Sequence, residues 1–324
     1  MLTHVNAVHP ASINYRSDML HRRTFLSQTG ALAAGTLLAE HGLAKETPLA
    51  PPLRVLDTHT HFYDTSRPQG VPWPSTSDKL LYRTVMPAEF KKLTAPYNVK
   101  GTVVIEAVWP VEDNQWALDK LAPDAFIPGI IGRLPLDADF EKNAARFAEH
   151  KKFRGLRVRK DELKELAAFK WMQARGWTVD VLGGPDVLAP LLVLARRVPE
   201  LTFVVDHFPK DPLPDADAQK AVEVALDGLA KLPNVNIKVS NVLRIKRTDL
   251  KPRAADYRDA LDPIWQRFGE RRVIFGSNWP VSDKHNGPYG DLIQVMNEYT
   301  MPKGKESQDL YFWKNGVRAY GLEA

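Results

Sequence analysis

Three histidines of this 324-residue sequence, at two places in the chain, could bind a metal ion or polarise a carbonyl. His59 and His61 follow a short apolar segment, and the alternation of a strand would point both imidazoles to one face. His207 follows another apolar segment later in the chain. Two or three converging imidazoles can share one divalent metal or one substrate oxygen. Because the sequence has no cysteine, a metal would have to be held by His, Asp or Glu.

Carboxylate, amide and cationic side chains lie at or near the ends of other apolar segments. Glu106 and Asp180 are the candidate proton acceptors, because a carboxylate can take a proton from an attacking water. Asn278 can only orient water, since an amide is not a usable base. The candidate substrate contacts are Arg157, Arg159, Lys210, Lys238 and Trp279. A guanidinium or ammonium there would favour an anionic small-molecule substrate, although each could also be an ordinary surface charge.

The elements that must position these residues are predicted from eight short segments rich in Val and Ile. The predicted strands are 53–56, 102–105, 126–131, 155–158, 178–182, 202–205, 236–239 and 272–275. Amphipathic stretches between them predict helices, among them 137–150, 161–175, 186–198, 215–231 and 254–268. Apolar strands that alternate with helices are typical of a parallel sheet covered on both sides.

Eight such units favour a single (β/α)8 TIM barrel of the α/β class, in which the carboxyl ends of the strands converge on one site. A doubly wound open sheet is the alternative. No Gly-x-Gly-x-x-Gly follows an early strand, which weakens a dinucleotide-binding version of that sheet. The segment 62–85, rich in Pro, Ser and Thr, is predicted to form a loop over the mouth of the barrel.

The first 44 residues are predicted to be an export signal rather than part of the barrel. Arg22 and Arg23 precede Phe25-Leu26, and the apolar run 29–39 is too short to cross a bilayer. This pattern is typical of a twin-arginine signal, and Met19 is a plausible true start. We therefore expect a cleaved region 1–44, a barrel over 45–324 and a periplasmic or extracytoplasmic location. The net charge of +5 is too small to favour nucleic acid, and no stable membrane insertion is expected.

Three motifs point to a known family. They are Asp-Thr-His-Thr-His-Phe at 57–62, Val-Val-Asp-His-Phe-Pro-Lys at 204–210 and Phe-Gly-Ser-Asn-Trp-Pro-Val at 275–281. Together they resemble the amidohydrolase-related barrel family, and within it the branch of sugar-lactone and pyrone-dicarboxylate lactonases. This resemblance implies a hydrolase that adds water to the carbonyl of a cyclic ester. It also implies that His59, His61 and His207 bind a divalent metal or, in metal-independent members, hold the carbonyl directly.

If a metal is present, zinc or manganese suits a set of imidazoles with a carboxylate better than magnesium does. The substrate implied by the branch is a carboxylated or sugar-derived lactone. Two other functions stay open at this point. One is a metal-dependent decarboxylase of the same superfamily, and the other is a barrel that binds a ligand without catalysis.

Two departures from the family pattern bear on the mechanism. The family usually has Asp where this chain has Asn278, and that Asp takes the proton from the attacking water. The branch commonly has Gln where this chain has Glu106. One hypothesis is that Glu106 replaces the lost carboxylate as base or metal ligand. The alternative is that Glu106 pairs with an arginine at the mouth of the barrel.

Overall fold

The computed structural model describes residues 51–107, 110–245, 251–285 and 288–323. The predicted export signal at residues 1–44 and the proposed start at Met19 lie outside these described residues.

Eight parallel strands form one sheet in which each strand pairs with the next along the chain. The strands are β1 (Val55–Thr60), β2 (Val99–Ile105), β3 (Gly129–Gly132), β4 (Phe153–Arg159), β5 (Thr178–Leu182), β6 (Thr202–Phe208), β7 (Val235–Ser240) and β8 (Val273–Gly276). The order is the one expected for a (β/α)8 barrel, so the predicted fold is confirmed.

The barrel closes where β1 meets the segment that follows β8. Thr60 and Trp279 form a parallel bridge, and the N–H of Asn278 donates to the carbonyl of His59 at 2.8 Å. The N–H of His61 donates to the carbonyl of Trp279 at 2.9 Å. Closure therefore places His59, near the end of β1, and His61, just after it, beside the Ser-Asn-Trp segment after β8.

Helices connect the strands and pack around the sheet. They are α1 (Pro87–Thr94), α2 (Val111–Lys120), α3 (Phe140–Ala148), α4 (Leu166–Gln173), α5 (Leu188–Arg197), α6 (Ala216–Ala230), α7 (Arg258–Phe268), α8 (Tyr289–Thr300), α9 (Lys305–Asp309) and α10 (Asn315–Ala319). The carboxylate of Asp215 caps α6 by accepting from the N–H of Ala218 at 2.7 Å. Within the described ranges, the helices are all too short or too polar to cross a membrane.

Only β5 has its predicted bounds, and β1 and β3 show why the others differ. β1 continues through Thr60, although its second half is polar, because the barrel interior supplies partners: Thr58 donates to the carbonyl of Phe275 at 2.5 Å. β3 begins at Gly129 rather than at residue 126. Ile127 is held in a turn by a bond to the carbonyl of Asp124, and Pro128 has no N–H to give to a neighbouring strand.

Candidate active site

Three histidines lie together at the end of the barrel where β1 and β6 finish. The ring centroids of His59 and His61 are 5.0 Å apart, and those of His59 and His207 are 4.5 Å apart. Burial lowers the pKa of His61 and of His207 to about 3, and that of His59 well below its usual value. All three rings are therefore neutral at physiological pH. The structure brings together the three histidines that the sequence singled out.

His59 has its Nδ1 between a donor and an acceptor. Lys238 Nζ lies 3.2 Å from this nitrogen, and Asp206 Oδ1 lies 3.3 Å from it. If Lys238 donates to Nδ1, the ring proton is on Nε2, which can then donate to a substrate oxygen. If Nδ1 donates to Asp206, the lone pair of Nε2 is available to a metal ion. Nε2 is buried and has no hydrogen-bond partner among the described residues.

His61 is held at both ring nitrogens. Its Nδ1 is 3.1 Å from the carbonyl oxygen of Ile105, and a carbonyl only accepts, so Nδ1 carries the proton of the neutral ring. Nε2, which then has the lone pair, lies 3.2 Å from the side-chain amide oxygen Oδ1 of Asn278, which also only accepts. A half-turn of this amide presents its Nδ2–H to the ring. Asn278 can therefore satisfy His61 as a donor, which an ionised Asp at this position cannot do.

His207 lies near the end of β6 with a positive φ of 59°, in the left-handed region that a histidine seldom adopts. Its Nδ1 is 2.9 Å from the hydroxyl of Ser240 at the end of β7. The residue is half-buried, whereas His59 and His61 are buried. His207 is therefore the ring of the three that is most open to solvent and to a ligand.

A buried lysine lies next to the histidines inside the barrel. Lys238 Nζ is 2.6 Å from Asp180 Oδ2 and 3.0 Å from Asp206 Oδ1, and all three side chains are fully inaccessible to solvent. Burial raises the pKa of Asp180 to about 7 despite the lysine. Burial acts in the same direction on Asp206, but Lys238 together with His59 and His207 outweighs it and holds the pKa of Asp206 well below its usual value. Tyr320, just after α10, donates its hydroxyl to Asp180 at 3.0 Å.

Glu106 forms a buried ion pair with Arg157. Arg157 Nε donates to Glu106 Oε1 at 2.9 Å, and Nη2 donates to the backbone carbonyl of Glu106 at 2.8 Å. Although burial opposes the charge, the carboxylate raises the pKa of Arg157. Of the two hypotheses for Glu106, the pairing with an arginine is therefore present in the structure. The role of Glu106 as a base remains a prediction.

The other residues predicted to contact the substrate lie in three different environments. Lys210 is largely buried, with Nζ donating to the carbonyls of Gly183 at 2.6 Å and Asp206 at 2.7 Å, and burial lowers its pKa to about 8. Arg159 is exposed and lines a surface groove formed by the segments that follow β3 and β4. Trp279 is 1% exposed and packs against Phe90, with ring centroids 5.1 Å apart, so the structure places it in the core.

Donors suitable for a divalent metal are present. One ligand atom from each of His59, Asp206 and His207 can be chosen so that all lie within 4.8 Å of one another. His59 Nε2 and Asp206 Oδ2 are buried without a hydrogen-bond partner among the described residues, whereas Asp206 Oδ1 lies 3.0 Å from Lys238 Nζ. Two imidazoles and a carboxylate suit zinc or manganese. The residues therefore fit a metal ion. Asp206 is the third ligand rather than His61, because both ring nitrogens of His61 already have hydrogen-bond partners.

Sequence reasoning missed several residues of this site. Asp206 was visible in the Asp-His pair of the second motif, but nothing in the sequence distinguished a ligand from a buried structural acid. Trp73, within the predicted loop 62–85, lies 5.5 Å from His61 between ring centroids, so this loop does reach over the site. Tyr320 gave no signal, since it is far from the motifs in the chain.

The imidazoles and carboxylates lie at the carboxyl ends of the strands, where (β/α)8-barrel enzymes carry their active sites. The family model described as amidohydrolase matches residues 56–322, so the chain belongs to the amidohydrolase family. The match covers nearly the whole barrel and includes all three motifs. The family expected from those motifs is confirmed.

Two curated relatives share much of the sequence. An L-fucono-1,5-lactonase from Burkholderia ambifaria is 31% identical over 250 residues, which cover 72% of this chain and 84% of that protein. An L-fucono-1,5-lactonase from Burkholderia multivorans is 27% identical over 287 residues, covering 82% and 96%. These relatives confirm the predicted lactonase-like branch.

Solved structures support the same fold. An amidohydrolase from Burkholderia multivorans, crystallised with bound zinc, superimposes with a TM-score of 0.72 at 24% identity. The match covers 83% of this chain and 100% of that chain. At this identity the similarity bears on the fold alone.

Proposed function

We propose that this protein hydrolyses a sugar-derived lactone at the carboxyl end of the barrel. Its broader class, a hydrolase acting on a cyclic ester, follows from the amidohydrolase family and from the two lactonase relatives. The observation that carries the proposal is the cluster of three neutral imidazoles, one of which has a buried nitrogen that no described residue bonds. Neutral imidazoles can donate to a carbonyl oxygen or bind a metal without the repulsion that imidazolium would cause.

The residues of the site can activate the carbonyl in two ways. With Lys238 donating to Nδ1, the Nε2–H of His59 can donate to the lactone carbonyl and stabilise the negative charge that develops on its oxygen. With Asp206 accepting from Nδ1, His59 joins His207 and Asp206 as a metal ligand. A bound divalent metal would polarise the carbonyl and lower the pKa of water toward ~7.

The proton released by the attacking water needs an acceptor. The two predicted acceptors are both engaged: Glu106 with Arg157, and Asp180 with Lys238 and Tyr320. Taking up a proton would cost either carboxylate its ion pair. This supports a mechanism in which activation of the carbonyl or of the water supplies most of the rate enhancement.

The substrate class can be tested directly. We expect the purified protein to open 1,5-lactones of sugar acids, with L-fucono-1,5-lactone as the first probe, and to release one proton per turnover, measured with a pH indicator. An aromatic carboxylic acid serves as the contrasting probe, because carbon dioxide release from it would indicate the decarboxylase alternative. Failure to hydrolyse any member of a panel of aldonolactones would contradict the proposal.

Metal content separates the two routes to carbonyl activation. We expect elemental analysis to find up to one zinc or manganese per chain, lost in the His207→Asn variant but kept in His61→Asn, because both nitrogens of His61 are already bonded. Full activity of a metal-free preparation would instead support direct donation by His59. Loss of metal in the His61 variant alone would contradict the ligand set proposed here.

Restoring Asp at position 278 tests whether the chain lost its base. In Asn278→Asp the carboxylate can only accept, so it should raise the pKa of His61 and pair with the protonated ring instead of acting on water. We therefore expect a gain in kcat/KM of less than about tenfold, where a working general base typically contributes about 10²–10⁴. The pKa of His61, followed by NMR, should rise from about 3.

A matched control for this variant is Asn98→Asp. Asn98 is also an asparagine with positive φ, but it lies at the amino-terminal end of β2, on the opposite side of the barrel. The Asn98→Asp substitution should leave the pKa of His61 unchanged. A gain of a hundredfold or more in Asn278→Asp would indicate a protein impaired in catalysis, and would favour the reading as a ligand-binding barrel.

We also propose that residues 1–44 direct export and are removed. The support is the pair Arg22-Arg23 ahead of a short apolar run. Amino-terminal sequencing of protein from the periplasmic fraction should find a start near Lys45, and replacing both arginines with lysine should retain the precursor inside the cell. A mature protein that keeps residues 1–44 would contradict this.

A further inference from the structure

The cations that the described residues place beside the histidines already have partners. Arg157 is paired with Glu106, and Lys238 lies between Asp180 and Asp206. Lys210 donates to two backbone carbonyls. A substrate carboxylate would therefore have to compete with an existing acceptor at each of these three positions.

Arg157 is the cation that matters most for a ligand. It is close enough to the histidines to lower the pKa of both His61 and His207 by its charge. Its side chain is 9% exposed and that of Glu106 is 6% exposed, so the pair is shielded from bulk water. Nε and Nη2 are both committed to Glu106, one to the carboxylate and one to the backbone carbonyl. Glu106 therefore neutralises the charge of Arg157 and occupies two of the nitrogen donors of its guanidinium group.

The pairing of Arg157 with Glu106 bears on which lactones can bind beside the histidines. A substrate carboxylate that is buried here without an unpaired cation loses its hydration and gains little in return. It would also be repelled by the negative charge of Glu106. A neutral hydroxyl carries no such cost. Glu106 Oε2, which no described residue bonds, can accept from a hydroxyl, while Oε1 keeps its bond to Arg157.

We propose that Glu106 makes this site selective for neutral, polyhydroxylated lactones over carboxylated ones. This inference rests on the proposed lactone hydrolysis and refines its substrate class. It replaces the anionic substrate expected from the four cations in the sequence, because that expectation did not include the charge of Glu106. Where the lactonase branch commonly has Gln, the same arginine would carry an uncompensated charge.

Stable ligands test this selectivity without depending on catalysis. L-fucono-1,5-lactam and L-galactaro-1,5-lactam share one ring and differ by a methyl group or a carboxylate at C6, and neither is readily hydrolysed. Calorimetric titration of the wild-type protein should show the neutral lactam binding at least tenfold more tightly. Glu106→Gln should shift this preference toward the carboxylated lactam by about 10- to 100-fold, as expected for one unit charge roughly 6–12 Å away at an effective dielectric constant near 20.

Two further variants isolate the charge of Glu106. Glu106→Asp keeps the carboxylate and should keep the preference for the neutral lactam. Glu162→Gln removes the same charge from another partly buried ion pair, that of Glu162 with Arg133 at 2.6 Å, and should leave the preference unchanged. Thermal unfolding of each variant establishes that it is folded before titration.

The outcomes separate this inference from the proposed function. Equal or tighter binding of the carboxylated lactam by the wild-type protein would overturn the inference, even if neutral lactones are hydrolysed. An unchanged preference in a folded Glu106→Gln variant would also overturn it, as would failure of both lactams to bind. Absence of lactone hydrolysis, with the preference for the neutral lactam intact, would contradict the proposed function alone.

Discussion

Replacing Lys238 with methionine is expected to lower the free energy of unfolding by about 3–5 kcal/mol, the usual cost of removing one partner from a buried ion pair. Lys238 is inaccessible to solvent and lies within 3.0 Å of both Asp180 and Asp206. Methionine fills a similar volume, but it leaves two buried carboxylates without a cation. A change of this size is a large share of the 5–15 kcal/mol by which most domains are stable.

The pH dependence of this loss identifies its cause. Without Lys238, the pKa of Asp206 should rise above the unfolded value and that of Asp180 should rise further, so the folded state resists losing these protons. The deficit relative to wild type should therefore be largest near neutral pH and shrink as the pH falls toward 4. Urea unfolding at pH 7.5 and pH 5 measures both quantities.

Lys314→Met is the control for the Lys238 substitution. Lys314 also pairs with two carboxylates, those of Glu306 and Asp309, but it lies at the surface. Its replacement should leave the unfolding midpoint nearly unchanged, because exposed ion pairs contribute little. A loss below about 1 kcal/mol in Lys238→Met, or one that does not depend on pH, would show that the ion pairs are not what Lys238 contributes.

His207→Asn is expected to reduce kcat/KM for the lactone by about 10²–10³, the range found when one group that stabilises a developing oxyanion is removed. Asparagine is the informative replacement because it tolerates the positive φ of 59° at this position better than most residues do. Its amide can also bond Ser240, which lies 2.9 Å from His207 Nδ1. The loss should therefore be catalytic, with the free energy of unfolding changed by less than about 1 kcal/mol.

His150→Asn provides the matched comparison. His150 is exposed after α3, and among the described residues its side chain makes one hydrogen bond, in which Nδ1 accepts from the N–H of Lys152. Both kcat/KM and metal content should stay at wild-type values in this variant. Activity of His207→Asn within threefold of wild type would remove His207 from the proposed machinery.

Much of the barrel was predictable because local rules suffice for it. The short Val- and Ile-rich segments, the amphipathic stretches between them and their eightfold repetition all reflect short-range patterns. β3 was the exception, since Pro128 and the turn before it made an apolar segment read as strand. Parallel strands connected by helices also have their carboxyl ends on one side, so a list of residues at strand ends already placed His59, His61 and His207 together.

The sequence alone determined the family, the end of the barrel that carries the site and the three imidazoles in it, because strand direction and motif spacing are local properties. Only the tertiary structure decided which charges pair. Glu106 and Arg157 are 51 positions apart, Asp180 and Lys238 are 58 apart, and Tyr320 reaches Asp180 across 140 positions. Such contacts depend on the tilt and stagger of the closed barrel and on the rotamers inside it. In the sequence, four cations suggested an anionic substrate. Once the barrel closes, three of those four cations already have partners.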